Sequence, residues 1–190
     1  MMEDSELWDL FRAGNQLAYT QLVNRHYKQL FNYGRRFCRD RDFLMDCIQE
    51  VFFELWKRKE KIKSTPAVKW YLLKAVRLRI FRDQAKWSRT EELSANYDFA
   101  VEFNIESKII HDSEINDLSI KIKNILNALP ARQQEIMYLR FYEGLSLDQI
   151  SDIMGISNQS IRNLLQKSYK NFRAEWTSLI FLFSFLNLFN

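Results

Sequence analysis

The sequence predicts an all-α chain of two small helical domains, and three observations carry that prediction. Glycine and proline number only four and two in 190 residues, whereas sheets need more frequent turn punctuation. Apolar residues recur at helical spacing over long stretches, and 47% hydrophobic content with 15% aromatic is ample for packed cores. The periodicity fades once, between about residues 87 and 114, where Ser, Asn, Asp and Glu accumulate. The expected organisation is therefore a domain over 1–86, an acidic linker over 87–114, a second domain over 115–176 and a hydrophobic tail over 177–190.

In the first domain, Ser5 to Ala13 reads as a short helix ended by Gly14-Asn15. Gln16 to Cys38 reads as a longer one with Leu22, Val23, Tyr27, Leu30, Phe31 and Phe37 inward. A third helix is expected from Asp42 to Lys61. Thr65-Pro66 then offers an N-cap followed by proline at the first helical position, opening a fourth helix that carries Val68 to Lys86.

The second domain resumes near Ile115 with Leu118, Ile122, Ile125, Leu126 and Leu129, breaks at Pro130, and continues through Ile136, Leu139 and Tyr142. Ser146 then caps a helix start, Gln149 completes a capping box, and Leu147, Ile150, Ile153 and Met154 share one face. Gly155 supplies a turn and Ser157 a second N-cap. After it Ile161, Leu164, Leu165 and Phe172 form a buried stripe, leaving Gln159, Ser160, Arg162, Asn163, Gln166 and Lys167 outward. Those are residue types that reach base edges and phosphates, so the pattern reads as a DNA-binding helix-turn-helix.

Charge is unevenly laid out. Residues 1–86 carry a net +7, residues 87–117 a net −6 and residues 118–190 a net +3. Two basic blocks around an acidic bridge suit two modules that touch a polyanion. Cys38 and Cys47 lie nine apart within helical pattern, and no signal peptide precedes them, so they are expected as reduced, half-buried residues of a cytoplasmic protein. His26 and His111 match no metal-ligand spacing. No catalytic residue, metal, cofactor or small-molecule substrate is expected, and the chain does not read as an enzyme.

Within the third helix, Asp46, Gln49, Glu50 and Glu54 occupy adjoining helical positions beside Phe52, Phe53 and Trp56, which suits a protein-docking face. Immediately downstream, residues 57–86 hold 11 basic against 2 acidic side chains, interleaved with Trp70, Tyr71 and Phe81. Cations that track phosphates and rings that stack on bases are the means of single-strand capture. Opening a duplex costs roughly 1.4 kcal/mol per base-pair step, and each base stacked on a ring returns about 1–3 kcal/mol. Two or three captured bases offset a short melt.

These segments resemble a known family. Asp46-x-x-Gln49-Glu50-Val51-Phe52-x-x-Leu55-Trp56, Tyr71-Leu72-x-x-Ala75-Val76-Arg77, Leu129-Pro130-x-Arg132-Gln133 and Glu143-Gly144-Leu145-Ser146-x-x-x-Ile150-Ser151-x-x-Met154-Gly155-Ile156-Ser157, in this order, resemble the extracytoplasmic-function (ECF) group of sigma-70-type RNA polymerase sigma factors over residues 5–175. The resemblance implies docking on core RNA polymerase through Asp46, Gln49, Glu50, Phe53 and Trp56. It implies opening of the −10 promoter element by Lys69, Trp70, Tyr71, Lys74, Arg77, Arg79 and Arg82. It further implies reading of the −35 element by Gln159, Ser160, Arg162, Asn163, Gln166, Lys167 and Lys170, a linker threaded toward the RNA exit path, and control by an anti-sigma factor that is membrane-bound in some members.

The chain departs from the family pattern where Leu78 stands for the usual asparagine, Arg82 for aspartate and Leu164 for a commonly basic residue. A phosphate grip by Arg77, Arg79 and Arg82 would keep affinity while lowering selectivity at −10, because phosphate contacts carry no sequence information. Without the resemblance, the residues leave open a stand-alone helix-turn-helix regulator.

Trp176 to Phe189 is a 14-residue run with no charge and ten large apolar side chains, which the family pattern does not require. As a helix it spans ~21 Å, short of the ~30 Å hydrocarbon core, so it is not expected to cross a membrane alone. Packing on the protein or in a partner's groove, membrane-surface attachment, and capture by a membrane-bound anti-sigma partner are its remaining uses.

Overall fold

The computed structural model describes the backbone over residues 2–88, 97–99 and 113–188, and side chains over 2–86, 97–99 and 120–176. Among the described residues every regular element is helical. The chain divides into two units, Met1–Tyr97 and Asp98–Asn190. Most of the expected acidic linker, residues 89–96 and 100–112, lies outside the described residues.

The first unit is built from α1 (Asp4–Arg12), α2 (Gln16–Gly34), α3 (Arg41–Lys57), a 3-10 turn at Lys59–Lys61, and α4 (Val68–Ser88). Its caps are local. Glu6 Oε2 accepts from Glu3 N at 3.0 Å, Asn15 Oδ1 accepts from Ala18 N at 3.0 Å, and Asp40 Oδ1 accepts from Asp42 N and Phe43 N at 3.0 and 3.1 Å. Each satisfies backbone donors that a helix start leaves unpaired.

The core of this unit comes from Leu7, Trp8 and Phe11 of α1, Leu22 and Leu30 of α2, Leu44, Ile48 and Leu55 of α3, and Val68, Leu72, Val76 and Ile80 of α4. On α2 the buried row is Ala18, Leu22, His26, Leu30 and Tyr33. Val23, Tyr27 and Phe31, expected inward, are only half-buried. The covered face is rotated toward His26, a polar residue that a hydropathy pattern does not credit with burial. Two helix limits also differ from expectation. α3 ends at Lys57 in a 3-10 turn, and Thr65 Oγ1 accepts from Ala67 N at 3.1 Å, so Thr65-Pro66 forms a turn ahead of α4 rather than its first residues.

The second unit contains α5 (Ser113–Ala128), α6 (Ala131–Met137), a π-helical turn (Tyr138–Tyr142), α7 (Leu147–Met154) and α8 (Asn158–Leu188). Ile125, Leu129, Ile136, Leu139, Leu145, Ile150, Ile153, Ile161 and Leu165 form its core. Gln134 Nε2 donates to Leu129 O at 2.6 Å and Asn127 O at 3.1 Å, which fastens the α5–α6 turn. Tyr142, expected inward, is 55% exposed, and Tyr138 holds the buried position at 2%. The π turn runs from Tyr138 to Tyr142, and its wider winding moves Tyr142, at its end, off the covered face that Leu139 keeps.

Two aromatics within the expected linker are packed. Tyr97 lies with Phe37 and Phe81 in the first unit, and Phe99, buried, lies 6.0 Å from Tyr138 in the second. The backbone of α8 stays helical through Leu188, while the side chains of the apolar tail, 177–190, lie outside the described residues. Among the described residues no helix is long and apolar enough to cross a membrane.

Candidate functional site

The α7–α8 pair is assembled by short-range chemistry. Ser146 Oγ accepts from Gln149 N at 3.2 Å while Gln149 Oε1 accepts from Ser146 N at 2.9 Å, the reciprocal capping box that the sequence spells. Gly155 ends α7 in the left-handed conformation, φ 66°, which only glycine adopts without penalty. Ser151 Oγ closes the turn on Ile156 O at 2.6 Å, and Ser157 Oγ accepts from Ser160 N at 3.2 Å to start α8. Asn158 Nδ2 donates to Asp148 Oδ1 at 2.5 Å, tying the new helix to the old.

Inward, α8 buries Ile161, Leu165 and Ser168, whose Oγ donates to Leu164 O at 2.8 Å. Leu164 and Phe172, expected in the buried stripe, are only partly covered. Outward, Gln159, Ser160, Arg162, Asn163, Gln166, Lys167 and Lys170 are all exposed. Gln159 Nε2 donates to Asn163 Oδ1 at 3.0 Å, so two of them are held together one turn apart. The arrangement presents donors, acceptors and cations together along one exposed stretch of α8.

Behind this row, several motif residues prove to be framework. Gln133 Oε1 accepts from Asn171 Nδ2 at 3.0 Å and joins α6 to α8. Glu143 is buried and accepts from the Tyr138 hydroxyl at 2.6 Å. Gly144 comes next with φ 68°.

On α4 the expected nucleic-acid residues divide. Arg82 is exposed, as is Leu78, 53% open; Lys69, Trp70, Lys74 and Arg77 are half-buried. The Trp70 indole carries the Lys74 ammonium 5.9 Å from its ring centroid. Arg77 lies over Phe81 at 4.6 Å with Tyr97 and Phe37 at 5.7 and 6.0 Å, so Phe81 sits in an aromatic cluster rather than standing free to stack on a base. Tyr71 is packed edge-on against buried Trp8, ring centroids 5.2 Å apart. Arg79 Nε donates to Asp83 Oδ2, and its Nη1 lies 3.5 Å from Glu50 Oε1. Burial opposes charge on Asp83, but the Arg79 hydrogen bond and positive charge outweigh it and hold the carboxyl below its ordinary range.

The α3 face keeps Asp46, Gln49 and Phe53 exposed, with Phe53 57% open. Glu50 is partly engaged by Arg79. Trp56 is half-buried against Tyr19 at 5.0 Å, under the Lys59 ammonium at 4.8 Å. Phe52, read as part of the exposed aromatic stripe, is core at 5% exposure. Between α2 and α3, Tyr19, Val23, Tyr27, Phe52, Phe53 and Trp56 line a groove of about 540 Å³.

Three contributors carry no signal in the motifs, Trp8, Arg12 and Asp83. Trp8 Nε1 donates to Lys63 O at 3.1 Å and Arg12 Nε to Ile62 O at 2.6 Å, so α1 staples the loop before α4. Asp83 orders the basic helix; its i+4 spacing from Arg79 was the available signal. Among the described residues no cluster of His, Cys, Asp or Glu could hold a metal ion.

Two family models match the chain, Sigma-70 region 2 over residues 22–90 and Sigma-70, region 4 over residues 119–172. Relatives match across most of its length. RNA polymerase sigma factor SigV of Bacillus subtilis (strain 168) is 24% identical over 157 residues, 82% of this chain and 89% of that protein. ECF RNA polymerase sigma factor SigK of Mycobacterium ulcerans (strain Agy99) is 22% identical over 167 residues, 84% of this chain and 86% of that protein. The chain belongs to the ECF group of sigma-70-type RNA polymerase sigma factors.

Two solved structures share the fold of this sigma factor. CnrH in complex with the cytosolic domain of CnrY aligns at TM-score 0.58 and 18% identity, covering 92% of this chain and 97% of that one. RpoE in complex with the anti-sigma factor NepR, from Bartonella quintana, aligns at 0.57 and 16% identity, covering 84% and 96%. The region 2 match spans the α3 face and α4 of the sigma factor, and the region 4 match spans α7 and α8 as far as Phe172.

Proposed function

We propose that this sigma factor acts as a non-catalytic promoter-specificity subunit that docks on core RNA polymerase through α3, opens the −10 element along α4 and reads the −35 element with α8. The observation that carries the reading is the α7–α8 pair, whose seven expected DNA-facing residues, Gln159 through Lys170, are all exposed on a helix fixed by the Ser146–Gln149 box. Residues 1–86 serve docking and melting, 115–176 serve −35 recognition, and 87–114 join them. Asp46, Gln49 and Phe53 carry the polymerase contact, with Glu50 and Trp56 at its edge. Lys69, Trp70, Lys74, Arg77 and Arg82 line the single strand. Tyr71 and Arg79 act through position, Tyr71 by its packing on Trp8 and Arg79 by its tie to Glu50 and Asp83.

The protein works in the cytoplasm, without cofactor or small-molecule substrate, under an anti-sigma factor. That last partner is supported by fold neighbours that were solved with a cytosolic domain of CnrY and with NepR. In vitro transcription with core polymerase tests the whole reading: start sites that depend on this chain are expected, and Asp46→Arg/Phe53→Ala should abolish them while −35 duplex affinity is unchanged. Transcription unaffected by that pair, or no polymerase retained by the wild-type chain, would sink it.

A further inference from the structure

Arg77 of α4 lies among three aromatic rings drawn from three separate stretches of the first unit. Its guanidinium carbon stands 4.6 Å from the Phe81 ring centroid, 5.7 Å from that of Tyr97 and 6.0 Å from that of Phe37. Phe81 is one turn further along the same helix, Phe37 follows α2, and Tyr97 comes from the stretch expected only to join the two domains.

The rings also hold one another. Phe81 packs edge-on against Phe37 at 5.3 Å and against Tyr97 at 5.1 Å, and Tyr97 lies tilted on Phe37 at 5.6 Å. Phe37 is fixed in turn: it is buried, it meets Tyr33 edge-on at 5.0 Å, and its carbonyl accepts from Gln84 Nε2 at 3.4 Å. Two walls around Arg77 are thus anchored in the helical bundle, and half-buried Tyr97 brings the third.

We infer that Tyr97 is a positioning residue for Arg77: its ring, with Phe81 and Phe37, holds the guanidinium oriented for a DNA phosphate. The inference rests on the proposed use of α4 in strand binding. A ring attracts a cation through the negative face of its π-system. A guanidinium that rings take by its flat face keeps its N–H groups in plane for a phosphate. Confinement matters because an arginine on a free stem forfeits rotamer freedom when it grips; Arg77 is already ordered within the fold. Unlike a carboxylate, a ring holds a cation without cancelling its charge. Arg79 and Arg82, by contrast, both lie against Asp83, Arg82 at 3.7 Å. A Tyr97 ring that only filled the seat of a base would act in the opposite sense, and its removal would tighten strand binding.

Fluorescence anisotropy with a dye-labelled single strand of mixed sequence tests the inference, on the full chain alone and assembled with core polymerase, at several salt concentrations. One phosphate contact on a single strand adds about 0.7 to the slope of log affinity against log salt, which is about fivefold in affinity at 0.1 M. Arg77→Ala sets the reference for that loss. Tyr97→Leu keeps apolar bulk without a ring face and is expected to lose about as much affinity and slope. Tyr97→Phe should keep both, and Tyr97→Leu combined with Arg77→Ala should lose no more than Arg77→Ala alone. All variants are expected to keep wild-type helicity by circular dichroism and wild-type affinity for duplex DNA carrying the −35 element.

Equal behaviour of Tyr97→Phe and Tyr97→Leu, a loss of affinity without a change of slope, additive losses in the double variant, a wild-type slope in Arg77→Ala, or tighter binding by Tyr97→Leu each overturns it. Should Tyr97→Leu lose helicity, a pentafluorinated phenylalanine installed in place of Tyr97 decides. It keeps the shape of a ring and reverses the charge of its face, so a wild-type slope there overturns the inference as well. A wild-type chain that binds no strand in either state sinks the promoter reading and the inference with it; the other failures fall on the Tyr97–Arg77 pair and leave that reading standing.

Discussion

Arg79 of α4 bridges to Glu50 of α3 at 3.5 Å while its Nε donates to Asp83 one turn further along its own helix. Two residues that the sequence assigns to separate surfaces, one for DNA and one for polymerase, are thus joined between the helices that carry those surfaces. Asp83, with a side chain only 14% exposed, also lies 3.4 Å from Lys86 Nζ. Asp83 thus gathers Arg79 and Lys86 of its own helix, while Glu50 supplies the tie to α3.

Arg79→Ala should therefore destabilise the first unit by about 1–3 kcal/mol, the cost of leaving a largely buried acceptor without its main partner. Asp83 has a folded-state pKa below its ordinary value. Its contribution is then present above the unfolded carboxylate range, near pH 4, and is lost as pH falls through the lower folded value. Urea melts at pH 7 and at successively lower pH below 4 should show the gap between wild type and variant at neutral pH and its narrowing as acid protonates Asp83. A gap independent of pH would refute the assignment to Asp83.

Gly155 tests the helix-turn-helix by torsion alone. Its φ is 66°, and a Cβ built there meets nothing within 4 Å. Gly155→Ala should cost about 1–2 kcal/mol, the left-handed penalty, and Gly155→Asn distinctly less. Thermal melts of the two variants decide it; equal losses would point to a steric cause instead.

Gly34 tests close packing between α2 and α3. A Cβ there collides with Leu44 Cδ1 and comes within 3.2 Å of Ile80 Cδ1. Gly34→Ala should cost about 1–3 kcal/mol by overpacking, and Leu44→Ala about 2–5 kcal/mol by its cavity. Chemical denaturation of the double variant should show a loss smaller than the two singles combined, because each defect relieves the other. Strict additivity would refute the contact.

Cys47 is 2% exposed, and burial together with the Asp83 charge pushes its thiol up to about 11, so at pH 8 it stays protonated and inert. Cys38 is half-buried. Native labelling with a disulfide reagent should modify Cys38 first and Cys47 only on unfolding, read by mass spectrometry of the peptides. Prompt native labelling of Cys47 would contradict its burial.

On α8, Arg162→Ala should lower affinity for the preferred −35 duplex by about 1–3 kcal/mol and flatten preference at one base. Lys170→Ala should weaken all duplexes alike and lower the salt slope by about one. Fluorescence anisotropy at two salt concentrations separates them, and an equal loss on random DNA would make Arg162 a phosphate contact.

What the sequence by itself determined lies within a few residues of chain. The Ser146–Gln149 box, the Gly155 turn and the outward row on α8 depend on groups one turn apart, so spacing alone decides them. The same holds for the two-domain, all-helical plan, set by apolar periodicity and scarce Gly and Pro. Which side of α2 is covered, the burial of Phe52 and His26, the packing of Tyr71 on Trp8 and the diversion of Arg79 to Glu50 were settled only by tertiary structure. Each depends on which neighbouring helix arrives and at what rotation, and partners 29 positions away, as Glu50 is from Arg79, or 63, as Trp8 is from Tyr71, leave no mark on local spacing. Pattern shows that a side chain is apolar or charged; only the packed neighbour decides whether that chemistry is spent inside the fold or left for a partner.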